Sequence, residues 1–220
     1  MLKGKCFSIL GDSISTYRGV SNNPSVNSTL FANPYFYSKR FPLKKTYWYR
    51  LIKDLGLNLC VNNSWSGGNL SGKENPSSGM NRAHHLSDND GTTPDMIIIF
   101  MGINDLGRGI NIEVFSEDYE KTLITVKRMY PLAAVCCVNI PDRDESIKER
   151  TKRFNLAIEN AVKKAGDKFF VADLFNSRLN NDFYYNNTLD GLHPDEDGMR
   201  IISEVIKDAI LRNVGGSLSC

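Results

Sequence analysis

Ser13 follows the apolar run Phe7-Ser8-Ile9-Leu10 and sits in Gly11-Asp12-Ser13-Ile14-Ser15. A serine directly after a strand, with a glycine before it to allow a tight turn, presents its hydroxyl at a sheet edge. There it either acts as a nucleophile or caps a helix. A hydroxyl becomes nucleophilic only with a base in hydrogen-bond reach and a carboxylate behind that base to fix its tautomer. Near the other end of the chain, Asp190-Gly191-Leu192-His193-Pro194 offers both groups from a single turn. His193 is one of three histidines; His84 and His85 are neighbours in a polar stretch, point in different directions and make poor partners for one metal. Taken alone, His193 reads as well as a surface residue before a helix.

Two further motifs carry donors. Gly102-Ile103-Asn104-Asp105 follows the most hydrophobic run of the chain, and an Asn amide there can face the oxyanion of an acyl transfer. Asn63-Ser64-Trp65-Ser66-Gly67-Gly68-Asn69 contains glycines that let backbone N–H groups approach a ligand. Each motif also reads as an ordinary turn. Asp12 and Asp105 adjoin these candidates and are expected to cap backbone N–H groups. No carboxylate cluster suggests a metal.

These residues need elements to hold them. Short apolar runs alternate with amphipathic segments, the pattern of βα units and a mostly parallel sheet. The runs predict strands at Lys5 to Leu10, Leu57 to Asn62, Asp95 to Met101, Ala133 to Asn139 and Lys168 to Ala172. A period near 3.6 predicts helices at Thr46 to Leu55, Ile112 to Met129, Ser146 to Ala165 and Glu196 to Leu211. The expected fold class is α/β, a three-layer α/β/α sandwich on a five-stranded parallel sheet. Residues 1–214 form one expected domain, followed by a frayed tail at 215–220. Two long polar segments, Ile14 to about Lys45 and Asn63 to Pro94, leave the ends of predicted strands and should overhang one crevice at the carboxyl edge of the sheet.

Gly11-Asp12-Ser13, a glycine after the second strand, Gly102-x-Asn104-Asp105 and Asp190-x-x-His193-Pro194 resemble, in order, the four blocks of the SGNH (GDSL-type) hydrolases. The resemblance spans residues 11 to 194. It implies a flavodoxin-like sandwich and ester hydrolysis through a serine acyl-enzyme, with no cofactor and no metal. It also implies Ser13 as nucleophile, His193 as base and Asp190 as orienting acid. The oxyanion hole would be the Ser13 N–H, a glycine N–H and the Asn104 amide. Matching Asn62 to Gly67 against the family's Asn-x-x-x-Ser-Gly pattern favours Gly67 over Gly68. Ile14 stands where many members have Leu, in an apolar packing position.

The 220 residues carry 27 Lys plus Arg against 25 Asp plus Glu, a net charge of +2 that gives no reason to expect nucleic acid or a membrane surface as partner. The five cysteines show no ligand spacing; those in apolar runs, Cys6, Cys60, Cys136 and Cys137, are expected as core filler. No signal peptide or membrane span is evident, so a reducing, cytoplasmic setting is expected. Tyr17, Arg18, Trp65 and Arg82, with Tyr35, Phe36 and Tyr37, place aromatic planes and guanidinium forks in the two long loops. These suit a small acyl group on a polar, carbohydrate-like alcohol better than a long alkyl chain. The alternatives are a lysophospholipase or thioesterase acting on longer chains, and a non-catalytic flavodoxin-like binding module.

Overall fold

A computed structural model of the chain describes residues 2–20, 36–180, 184 and 186–214. Five strands form one parallel sheet: β1 (Cys6–Gly11), β2 (Asn58–Ser64), β3 (Met96–Phe100), β4 (Ala134–Val138) and β5 (Phe169–Ala172), in the order β2-β1-β3-β4-β5. Each strand lies within two residues of its predicted run. In β3, Met96-Ile97-Ile98-Ile99-Phe100 is buried at every position, because helices cover both faces of a central parallel strand.

The long helices are α1 (Tyr47–Leu55), α4 (Ile112–Met129), α5 (Lys148–Ala165) and α6 (Glu196–Val214); two short ones, α2 (Gly79–Arg82) and α3 (Ile103–Gly107), lie between them in sequence. Helix α1 packs on α6, and α4 packs on α5. Right-handed crossovers place β1-α1-β2 on one face of the sheet, and β3-α4-β4 and β4-α5-β5 on the other. Local chemistry sets the ends. The Thr46 hydroxyl caps α1 by accepting from the Tyr49 N–H, and Gly56 closes that helix at φ 67°. Asn111 caps α4 through the Glu113 and Val114 N–H groups.

One cluster of buried side chains runs through the sheet and both layers, including Phe7, Trp48, Ile98, Tyr119, Cys136, Cys137, Phe154 and Ile202. Cys136 and Cys137 are fully buried as expected, whereas Cys6 and Cys60 are only half-buried, because they lie near the amino ends of β1 and the edge strand β2. The two long segments are not structureless: 3-10 turns occupy Phe36–Lys39 and Leu43–Lys45, and α2 occupies part of the second. Residues 21–35, with Tyr35, and the predicted tail at 215–220 lie outside the described residues. No described helix is long and apolar enough to cross a membrane.

Candidate active site

Order β2-β1-β3 makes β1 the point where successive connections leave in opposite directions, the place where open parallel sheets hold ligands at their carboxyl edge. Gly11 ends β1. A Cβ at that position would lie 2.6 Å from both Ser15 Oγ and Ser64 Oγ, so only glycine lets the chain pass between them. The next residues form a turn: the Ser15 N–H donates to Asp12 C=O at 3.1 Å, and the Ile14 N–H donates to Asp12 Oδ1 at 3.0 Å. No helix begins at Ser13, which removes the helix-cap reading of that residue.

From the far end of the chain, the turn before α6 brings His193 back over this one. His193 Nε2 lies 2.9 Å from Ser13 Oγ, and His193 Nδ1 lies 2.8 Å from Asp190 Oδ2. The Asp190 carboxylate also accepts the backbone N–H groups of His193 (2.8 Å) and Leu192 (3.1 Å), which fixes the turn that aims the ring. Burial alone would raise the Asp190 carboxyl, but those hydrogen bonds and the imidazole outweigh it and hold the group below its ordinary value. Desolvation lowers the His193 pKa and outweighs the raising effect of Asp190, and the Arg40 charge adds to the lowering. The ring is therefore a neutral acceptor at pH 7, facing a nearly buried hydroxyl.

Aromatic groups complete the setting of the ring. Phe36 stacks on His193 with centroids 3.8 Å apart and planes 17° from parallel, and the Arg40 guanidinium carbon lies 3.6 Å from the centre of the Phe36 ring. Tyr37 meets both rings edge-on. The Tyr184 hydroxyl donates to the Leu192 carbonyl at 2.5 Å, anchoring the residue before His193. The aromatic triplet at 35–37 was visible in the sequence as loop residues. Nothing local signalled that Phe36 would dock on a histidine 157 positions later.

The Asn104 amide, at the start of α3, donates to Gly68 C=O at 3.1 Å and lies 3.4 Å from Asp12 Oδ2. This brings the Asn104 and Gly67-Gly68 motifs to the same corner as the Ser13 turn. The Gly68 N–H is engaged by Trp65 C=O at 2.9 Å, whereas the Gly67 N–H has no acceptor among the described residues, so Gly67 is the glycine with a donor to offer. Gly67 takes φ 69°, a conformation open to glycine. Arg108 ties this loop to α3 by donating to Gly67 C=O at 2.7 Å and to the Asn69 side chain. Asp12 and Asp105 cap backbone groups: buried Asp105 accepts the Leu70 and Ser71 N–H groups at 2.7 and 2.9 Å. Desolvation pushes Asp12 up to about 7, against the Ile14 hydrogen bond and the Arg82 charge.

The residues expected at a substrate are placed differently from one another. Trp65 is half-buried and borders a cavity of about 800 Å³ that Asn63, His84, His85 and Asp88 also line. Tyr17 is half-buried with its hydroxyl on Phe41 C=O, and Arg18 is exposed. Arg82 borders the same cavity but is buried, and its guanidinium donates to the carbonyls of Gly11, Asn63 and Ser77. Those bonds commit it to joining the ends of β1 and β2. His84 and His85 stack edge-on, and no group of three or more His, Cys, Asp or Glu side chains among the described residues could hold a metal.

A family model described as GDSL-like lipase/acylhydrolase matches residues 5–210. The fold is similar to a protein from Bacteroides uniformis described as a GDSL-like lipase (TM-score 0.72, 23% identity, 95% of this chain and 96% of that one). It is also similar to one from Bacteroides ovatus with the same description (TM-score 0.71, 22% identity, 96% and 99%). A carbohydrate esterase family 2 enzyme from Corynascus thermopiles is similar at TM-score 0.66 and 20% identity, over 96% of this chain and 67% of that one. No curated protein matches the sequence significantly.

Proposed function

Because the chain belongs to the GDSL-like lipase/acylhydrolase family, whose members cleave ester bonds, we propose that it is a serine esterase that removes small, acetyl-type acyl groups, with a carbohydrate as the alcohol. The observation that carries this reading is the unbroken hydrogen-bonded path from Ser13 Oγ through His193 to Asp190. Ser13 attacks the ester carbonyl while His193 Nε2 takes its proton, and Asp190 stabilises the imidazolium that forms. The Ser13 and Gly67 N–H groups and the Asn104 amide receive the oxyanion. His193 then protonates the leaving alcohol, and a water molecule, activated by the same base, releases the acid.

The lowered pKa of His193 supports the base role, since it keeps the ring unprotonated at neutral pH. The half-buried Trp65, two residues from Gly67, offers an aromatic face that supports a sugar over an alkyl chain. A carbohydrate esterase among the proteins of similar fold makes acetylated sugars the first compounds to try.

Ser13→Ala is expected to lower turnover of a chromogenic acetate ester by several orders of magnitude, with the fold intact by circular dichroism. Undiminished turnover would sink the assignment of the nucleophile. Acyl chains from acetyl to octanoyl, compared by kcat/KM, should favour acetyl; a preference that rises with chain length would replace this reading with a lipase or thioesterase.

A further inference from the structure

Arg143 lies in Pro141-Asp142-Arg143-Asp144, on the loop that leaves β4 at the carboxyl edge of the sheet. This loop packs against the Asn104 motif, with Ile140 Cδ1 only 3.2 Å from where a Cβ on Gly102 would stand. The Arg143 guanidinium runs beside α3, its Nη2 4.0 Å from the Cβ position of Gly107, one helical turn from Asn104. Its charge also acts on the Tyr184 hydroxyl, whose hydrogen bond holds Leu192 next to His193. Arg143 thus stands beside the helix that carries the Asn104 amide.

Neither carboxylate beside it in sequence forms an ion pair with it, although its charge acts on Asp144. Asp142 Oδ2 takes Lys148 Nζ at 3.1 Å, and Asp144 Oδ1 takes the Ser146 N–H at 2.9 Å. Arg143 Nε is buried and has no hydrogen-bond partner among the described residues. A desolvated guanidinium donor without an acceptor is costly, and its planar fork matches a carboxylate better than any other small group. Resting on the esterase reading above, we infer that Arg143 forms an anion subsite of the crevice and that the preferred esters carry a carboxylate near the scissile bond. That carboxylate belongs either to the acyl group, as in a dicarboxylic half-ester, or to the alcohol, as in an acetylated acid sugar.

The test uses two matched pairs of esters. A 4-nitrophenyl hemisuccinate against the butyrate reads a carboxylate on the acyl group; acetylated glucuronic acid against acetylated glucose reads one on the alcohol. The acidic member of one pair is expected to be favoured in kcat/KM by about 10- to 100-fold, and Arg143→Gln should bring that ratio close to one. Arg143→Lys, which keeps the charge without the fork, should retain part of the preference, and it serves as the second variant if the glutamine form does not fold. Ratios near one for the wild type on both pairs, or a ratio that Arg143→Gln leaves unchanged, overturn the subsite. If no ester is turned over, the esterase reading fails and succinate binding by calorimetry decides the subsite separately. Binding that Arg143→Gln weakens at least about 10-fold supports it, and no binding, or equal binding, overturns it.

Discussion

His193 takes its position from contacts that come from three parts of the chain: Asp190 beneath Nδ1, Ser13 at Nε2 and Phe36 across one face. The stack matters for basicity as well as for aim. Burial is the largest cause of the lowered His193 pKa, and the Arg40 charge, which sits on Phe36, acts in the same direction, while Asp190 opposes both. An esterase that needs a neutral imidazole loses kcat/KM as pH falls through the pKa of the free-enzyme base, so the wild-type acid limb should lie below the ordinary histidine value. Phe36→Leu removes the stacked ring and readmits water to that face. Desolvation weakens, Asp190 prevails, the pKa rises and the acid limb moves to higher pH. A kcat/KM profile from pH 4.5 to 8 on a short-chain ester reads this directly, and an unmoved limb would show that the stack does not tune the base. Ser13, His193 and Asp190 were readable because their motifs are local in sequence. Phe36 was not, because stacking is settled only when a loop docks.

At the scale of elements, the strands and long helices were legible because apolar runs and a 3.6 period persist for several residues. Helices α2 and α3 were not, since four or five residues are too few to show a period, and both read as turns. Arg82 shows a related gap. An arginine in a Gly- and Asn-rich loop resembles a ligand-binding cation, but irregular backbone leaves carbonyls that need donors, and Arg82 supplies them between the ends of β1 and β2. Asp105 plays the matching part for N–H groups, joining α3 to the loop at Leu70 and Ser71. Asp105→Ala leaves two buried N–H groups without an acceptor and is expected to cost about 2 to 4 kcal/mol, read as a lower denaturant midpoint with an unchanged slope. Asp105→Asn keeps one acceptor oxygen and should lose less. If the alanine variant were as stable as wild type, the loop would be held by other contacts, such as those of Arg108.

For the whole molecule, the question is whether the sandwich unfolds as one unit, and β4 contains its own reporter. Adjacent residues of a strand face opposite sides of the sheet, so Cys136 and Cys137 probe the two layers separately. Cys136 lies close enough to Tyr47 of α1 for their charges to interact, and Cys137 acts on Tyr119 of α4 more strongly than Cys136 does. Both are fully buried; desolvation drives the Cys136 thiol upward and pushes Cys137 up to about 12, so neither offers a thiolate to a reagent while the native packing lasts. Releasing Cys136 requires the α1 and α6 layer to leave the sheet, and releasing Cys137 requires the α4 and α5 layer to leave. A continuous core predicts that these events coincide. In a variant whose other cysteines are replaced by serine, Cys136 and Cys137 should react with a thiol reagent at equal rates. The opening free energy from those rates should equal the global value from denaturant unfolding. If one thiol reacts well before the other, the layers separate independently and residues 1–214 do not behave as a single cooperative domain.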